Sequence, residues 1–342
     1  MSFKYLNILP SPDDIKSSYP LKDELVLKKQ KFDKEVYETL TGKKDKFLVI
    51  IGPCSADNEE AVCDFVNRLN TLKKELSDKL IIIPRVYTNK PRTTGDGYKG
   101  LLHQPNPEKE PDILKGIIAS RKIHLRVIEE TNLFTADEIL YPENLDYLND
   151  LVSYMTIGAR SVENQQHRLI ASACDIPVGM KNPTSGDLSV MLNAIYTAQK
   201  PHECIHRGWE IQTDGNKLAH AILRGATDRY GNTVVNYHYE DLMLLFKMYG
   251  NYDIKNPTVI IDANHSNSAK QFKEQLRIVR EILYLKKTSK MLNDFIKGVM
   301  IESYLVEGSQ KIGEHIYGKS ITDPCLGWED TKKLLLDISE GI

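Results

Sequence analysis

The sequence predicts an α/β fold, a (β/α)8 TIM barrel, on three observations. From Phe47 onward, short runs of strand character alternate with longer stretches of helical period. Eight such runs occur, the count that closes a barrel, and charged side chains recur just past their ends. Alternation of this kind gives parallel strands joined by crossover helices, and the active sites of such barrels collect at the carboxyl ends of the strands.

Residues 1–46 read as an N-terminal extension: they are charged and hold one amphipathic stretch, Asp23 to Leu40. Residues 47–342 form the barrel. Its strands are predicted at Phe47 to Gly52, Leu80 to Val86, Phe134 to Ile139, Met155 to Ile157, Pro177 to Met180, Ala221 to Leu223, Thr258 to Asp262 and Gly298 to Ser303. Between the first two, Ala61, Val62, Phe65, Val66, Leu69, Leu72 and Leu76 fall on one helical face. Phe272, Leu276, Val279 and Leu283 do the same before the last strand. His202 to Asp214 fits neither helix nor simple turn and is predicted to be a hairpin insertion before strand 6.

Composition narrows the function classes. At 342 residues, 41% hydrophobic and 27% charged, the chain can bury a sizeable core. No apolar run is long enough to span a bilayer. A formal net charge of -2, with no basic stripe interleaved with aromatics, argues against nucleic acid and membrane surfaces as partners. The 5 cysteines include no Cys-x-x-Cys pair, and Met1 to Pro10 lacks the pattern of a signal peptide, so a reducing, cytoplasmic setting is expected.

Two constellations sit at the predicted strand ends. The first is cationic: Arg85, Lys90, Arg92, Arg160, Lys181 and Arg224. Two like charges about 8 Å apart at an effective dielectric of about 20 repel by about 2 kcal/mol, so such a set needs anions to offset it. Planar guanidinium forks suit carboxylate and phosphate. The second is Cys54, His265, Glu302 and Asp323, a soft ligand, an imidazole and two carboxylates of the kind that hold a divalent transition metal. Any one of these residues alone is more often a packing or solvated group; the barrel places all of them on one rim. Cys63, Cys174, Cys204 and Cys325 read as structural.

At these residues the chain resembles the class I 3-deoxy-D-arabino-heptulosonate-7-phosphate (DAHP) synthase family. The likeness is carried in order by Ile51-Gly52-Pro53-Cys54-Ser55, Lys90-Pro91-Arg92-Thr93-Thr94, Ile157-Gly158-Ala159-Arg160, Gln165-x-His167-Arg168 and Lys181-Asn182. It continues through Ile222-Leu223-Arg224-Gly225, Asp262-x-x-His265-x-Asn267-Ser268, Glu302-Ser303-x-Leu305-Val306-Glu307-Gly308 and Tyr317 to Asp323. The resemblance implies condensation of phosphoenolpyruvate with erythrose 4-phosphate in a homo-oligomer, dimer or tetramer. It also implies one divalent metal per subunit, Mn2+ first, with Fe2+, Co2+ or Zn2+ as alternatives, on Cys54, His265, Glu302 and Asp323.

By the same matching, Arg160, next to Ala159, and Arg224 grip the phosphate of phosphoenolpyruvate. Arg85, Lys90 and Lys181 face its carboxylate side with Glu138 close by, and Arg92 and Thr93 contact the aldose phosphate. Lys90 is the candidate acid, on the expectation that neighbouring cations depress its pKa. Cys54 and His265 join it as the catalytic set, and Asp323 also borders the substrate. The chain departs from the family pattern in a longer loop from Thr94 to Gly100 with Tyr98 where Trp is common, in Asp137 before Glu138 where Gly is usual, and in Ala263-Asn264 before His265. Other readings are a Schiff-base aldolase using Lys90 or Lys181, an octulosonate-phosphate-type synthase, and a metal-binding regulatory barrel without turnover.

Overall fold

Runs buried on both faces become strands: β1 (Phe47–Gly52), β2 (Leu80–Pro84), β3 (Thr135–Ile139), β4 (Val152–Ile157), β5 (Val178–Lys181), β6 (His220–Leu223), β7 (Val259–Asp262) and β8 (Ile296–Glu302). The computed structural model describes residues 1–342, apart from the side chain of Lys74. Helices α1 (Pro12–Ser18) and α2 (Asp23–Leu40) precede β1. Then follow α3 (Glu59–Leu76), α4 (Ile113–Thr131), α5 (Gln165–Ser172), α6 (Leu188–Ala198), α7 (Tyr239–Tyr249), α8 (Glu274–Thr288), α9 (Lys290–Phe295) and α10 (Trp328–Gly341).

All strand pairs in this sheet are parallel, in the order β2-β1-β8-β7-β6-β5-β4-β3. The ring is closed between β2 and β3 by a bridge between Arg85 and Ala136, with Val86 N–H donating to Ala136 O at 2.9 Å. The expected TIM barrel is thus present, with one thin seam.

Most boundaries lie within one residue of those read off the sequence; three differ by two or more, with β8 starting at Ile296 rather than Gly298. Strand β2 ends at Pro84 rather than Val86; Arg85 keeps its bond to Ile51 O (2.9 Å), and at Val86 the chain turns to β3. Strand β4 starts at Val152, because the polar Ser153 interrupts the apolar run yet is fully buried in the sheet.

Alternation along the strands divides the core in two. Leu48, Ile50, Ile81, Ile83, Ile222, Ile260 and Met300 fill the barrel interior, where Val36 and Leu40 of α2 join them. Phe47, Val49, Ile51, Ile82, Val259 and Ile261 face the helices. The α3 face expected from spacing is buried in full. On α8 the buried stripe is Ile278, Val279, Ile282 and Leu283, with Phe272 and Leu276 packed at its edge. The insertion is a hairpin: His202–His206 pairs antiparallel with Trp209–Thr213. Arg207 (φ 51°) and Gly208 (φ 80°) form its two-residue turn, both in the left-handed region that such turns require.

One buried group couples this core to pH. His220 on β6 bonds Tyr154 OH and Leu218 O, each at 2.7 Å, and burial pushes its pKa down to about 4. An unfolded histidine titrates near 6.5, so between that pH and about 4 the unfolded chain takes up a proton that the folded chain excludes. Stability contributed above pH 6.5 is therefore lost on acidification, by roughly 3 kcal/mol for this group alone. Urea midpoints at pH 7 and pH 4 should lie further apart for the wild type than for His220→Gln; equal gaps would contradict the assignment.

Candidate active site

Strand ends and the segments after them bring most of the sequence-predicted side chains to one cavity. It is lined by Cys54, Arg85, Lys90, Glu138, Ala159, Arg160, Lys181, Arg224, His265 and Glu302, together with Tyr87, Asn89 and Pro91. Asp323 reaches the same cluster, with Oδ2 3.0 Å from Lys90 Nζ and 3.5 Å from Cys54 Sγ. Arg92 and Thr93 lie outside the lining. Arg92 Nε donates to Tyr98 O at 2.8 Å, and Thr93 Oγ1 accepts from Arg160 Nε at 2.8 Å, so Thr93 is tied to the cavity wall and Arg92 is turned to its own loop.

The cations sort into two groups. Arg85 is paired with Glu302 (3.0 Å), Lys90 with Asp323 (3.0 Å) and Lys181 with Asp262 (3.3 Å). Among the described residues, Arg92, Arg160 and Arg224 have no carboxylate partner within ion-pair distance. Arg224 donates to Ser266 Oγ at 3.0 Å instead. Arg85 is 1% exposed and stacks over Tyr87 with its guanidinium carbon 4.1 Å from the ring centroid, yet its Nε and Nη1 find no hydrogen-bond partner. A buried guanidinium with unsatisfied donors facing a cavity is poised for an anion, because leaving such donors unmet is costly.

Lys90 corrects one expectation. Its nearest partners are the Cys54 sulfur and the Asp323 carboxylate, not cations, with Nζ 2.6 Å from Cys54 Sγ and 3.0 Å from Asp323 Oδ2. Burial alone would lower its pKa, but its contact with Cys54 and the charges of Asp323 and Glu302 outweigh burial and hold it above the usual lysine range. Burial likewise pushes the Cys54 thiol up to about 11, with Glu302 adding to the shift. Asp323 is held well below the usual carboxylate range: Lys90, His265 and Lys270 outweigh the effect of its burial.

The donor set fits a divalent cation. One ligand atom each from Cys54, Glu302 and Asp323 lie within 4.8 Å of one another. His265 stands beside them, Nε2 3.8 Å from Glu302 Oε1 and outside that tight cluster of three. Its backbone is left-handed (φ 49°), a conformation rare for a residue with a side chain. Asp262 Oδ2 lies 2.8 Å from His265 Nδ1, close enough to pair but not aligned for a hydrogen bond.

Several supporting residues went unassigned in the sequence. Asp262 neutralises Lys181 at 3.3 Å; the sequence placed it in the motif with His265 at the end of β7 but gave it no role. Asn264 Nδ2 donates to Glu302 Oε2 at 2.6 Å, and Gln275 holds the Glu302 backbone from both sides, at 2.8 and 3.0 Å. Lys270 reaches Asp323 at 3.4 Å. Partners that orient a ligand are worth about 10–100-fold in metal affinity. Asn264→Ala should weaken Mn2+ binding by about that factor in competition with a chelating dye; unchanged affinity would mean that Glu302 needs no such support.

Comparison with known proteins places this geometry. The model of the DAHP synthetase I family matches residues 24–336. The Trp-sensitive phospho-2-dehydro-3-deoxyheptonate aldolase of Enterobacter agglomerans is 35% identical over 342 residues, covering 98% of this chain and 95% of that protein. The Phe-sensitive enzyme of Escherichia coli K12 is 38% identical over 317 residues, covering 90% of this chain and 87% of its own length. The structure of phospho-2-dehydro-3-deoxyheptonate aldolase from Francisella tularensis SCHU S4 superposes with a TM-score of 0.92 at 31% identity, over 100% of this chain and 98% of that one. A match of this extent, on a barrel whose rim gathers the motif residues, establishes that the chain belongs to the DAHP synthetase I family.

Proposed function

We propose that this chain condenses phosphoenolpyruvate with D-erythrose 4-phosphate and water, giving 3-deoxy-D-arabino-heptulosonate 7-phosphate and inorganic phosphate, the first step toward aromatic amino acids. The observation that carries the reading is the buried Arg85 with two unmet donor atoms, in a cavity shared with carboxylate-free Arg160 and Arg224 and the Cys54–Glu302–Asp323 cluster. A site with spare guanidinium donors beside a metal-type donor set suits a substrate bearing both carboxylate and phosphate.

In this reading Arg160 and Arg224 hold the phosphate of phosphoenolpyruvate, and Arg85 and Lys181 face its carboxylate. Arg92 and Thr93 meet the aldose phosphate. Carbon 3 of the enol bonds to the aldehyde carbon, water adds at carbon 2, and the carbon–oxygen bond to phosphate then breaks. The guanidiniums orient the reactants and neutralise the departing phosphate. Lys90 presents its ammonium to the enol face. Cys54, His265, Glu302 and Asp323 would hold one divalent ion, Mn2+ by preference over Fe2+, Co2+ or Zn2+. Such an ion supplies Lewis acidity toward the aldehyde oxygen.

A Schiff-base aldolase is disfavoured, because both candidate lysines are held in ion pairs, Lys90 with Asp323 at 3.0 Å and Lys181 with Asp262 at 3.3 Å, and an ammonium so held makes a poor nucleophile. Phosphate release from phosphoenolpyruvate should require erythrose 4-phosphate and a divalent metal and should stop on chelation. Borohydride trapping of substrate on the protein, or preference for a five-carbon aldose phosphate, would overturn the assignment.

Residues 1–46 are proposed as an extension to the barrel domain 47–342. Assembly as a homo-oligomer is supported by exposed apolar side chains at Phe3, Leu6 and Ile8 and at the hairpin tip, Ile205 and Trp209. Light scattering should give a mass above the 39.0 kDa of one chain. A cytoplasmic setting is supported by 5 cysteines that all stay free. No helix is long and apolar enough to cross a membrane.

A further inference from the structure

The thin seam of the barrel is also where Lys90 emerges. Strand β2 meets β3 only through Arg85, Val86 and Ala136, so the segment Thr88-Asn89-Lys90 leaves the sheet without a ladder to hold it. Backbone bonds tie it to the following loop, Lys90 N–H donating to Lys99 O and Leu102 N–H to Thr88 O, each at 3.0 Å; its main tie to β3 is one carboxylate. Asp137 Oδ1 accepts from Thr88 N at 2.9 Å and from Glu138 N at 2.7 Å. Its Oδ2 accepts from Thr88 Oγ1 at 2.6 Å and lies 3.4 Å from His124 Nε2. The other nitrogen of His124 meets Thr135 Oγ1 at 2.7 Å, tying the group to α4 and β3. Thr88, His124, Thr135 and Asp137 are each 0% exposed.

Such a group is costly to bury unless its hydrogen bonds are met. A carboxylate in a dry interior must be satisfied, and this one accepts from three donors, with His124 Nε2 beside it as a fourth in the tautomer that protonates that nitrogen. Two of those donors belong to Thr88, two residues before Lys90, and a third to the backbone of Glu138, whose side chain lines the cavity. Glu138 is confined from the far side as well, since a Cβ at Gly158 would collide with its Oε1. Asp137 itself points away from the cavity, into the layer between β3 and α4.

We propose that Asp137, with Thr88 and His124, is a positioning residue that fixes Lys90 and Glu138 against phosphoenolpyruvate. It acts across the seam where backbone pairing is thinnest. The proposal rests on the DAHP-forming reading for the identity of the substrate, but not on turnover for its test. The candidate metal ligands lie off the seam, after β1, β7 and β8, and a loosened Lys90 only relieves its competition for Cys54 and Asp323, so the ion should still bind.

The experiment titrates phosphoenolpyruvate into the Mn2+-loaded protein by calorimetry, beside steady-state kinetics and Mn2+ affinity, for the wild type, Asp137→Asn, Thr88→Val and Thr88→Ser. Asp137→Asn and Thr88→Val should weaken phosphoenolpyruvate binding and lower kcat, each by an order of magnitude or more, with Mn2+ bound at least as tightly as by the wild type. Thr88→Ser, which keeps the hydroxyl, should restore both. Affinity and kcat near the wild-type values, with only a lowered melting temperature, would overturn the proposal and leave the network as packing. Should Asp137→Asn fail to fold, the contrast between Thr88→Val and Thr88→Ser decides. A wild type that binds phosphoenolpyruvate but makes no product would sink the functional reading instead, and binding by the variants would still test the positioning.

Discussion

Lys90→Met should lower kcat by about 10²–10⁴-fold, the range for loss of a positioned acid–base group, while leaving the protein able to bind a divalent ion. The reason lies in where the ammonium sits. It is 2.6 Å from Cys54 Sγ and 3.0 Å from Asp323 Oδ2, inside the donor cluster that would take the metal. A cation there competes with the ion for the same negative groups. Removing it takes away chemistry at the enol face yet relieves that competition, so Mn2+ should bind the variant at least as tightly as the wild type. Chelator competition and steady-state turnover separate the two effects. Turnover within a few-fold of the wild type would remove Lys90 from the reaction, and lost ion binding would mean that it builds the site rather than serves it.

Glu302→Ala should lose both the ion and several kcal/mol of stability. Glu302 and Arg85 are each 1% exposed and 3.0 Å apart. Removing one partner of a buried pair leaves an uncompensated charge, which typically costs about 3–5 kcal/mol. Glu302 also supplies one of the clustered ligand atoms. Denaturant unfolding should show the destabilisation, and Arg85→Met combined with Glu302→Leu should recover much of it without recovering ion binding. A single variant as stable as the wild type would show that Arg85 is neutralised by something other than Glu302.

How far this molecule can be read from its sequence follows from the range of each interaction. Strands such as β1 are legible because Phe47–Gly52 is buried on both faces and so reads as an unbroken apolar run. The start of β4 is less so, since Ser153 and Tyr154 are buried by the whole fold rather than by their own hydrophobicity. The rim residues are legible because each one follows a strand end, and the barrel turns that position into a shared location.

Pairing at the rim is not legible. Arg85 and Glu302 are 217 residues apart, and Lys90 and Asp323 are 233 apart. The expectation of six mutually repelling cations therefore missed that three are neutralised within the protein, and the expected acidification of Lys90 had the wrong sign. Asn264 and Gln275 were hidden for the same reason: an amide side chain gives no signal until the carboxylate it serves is beside it.

The account stands on Cys54, His265, Glu302 and Asp323 sharing one cation, and crystals soaked in Mn2+ test that most directly through anomalous scattering. The expected result is a single peak within about 2.0–2.6 Å of Cys54 Sγ, His265 Nε2 and oxygens of Glu302 and Asp323, with Lys90 displaced from Cys54. A peak elsewhere, or none at an occupancy that restores activity in solution, would contradict it.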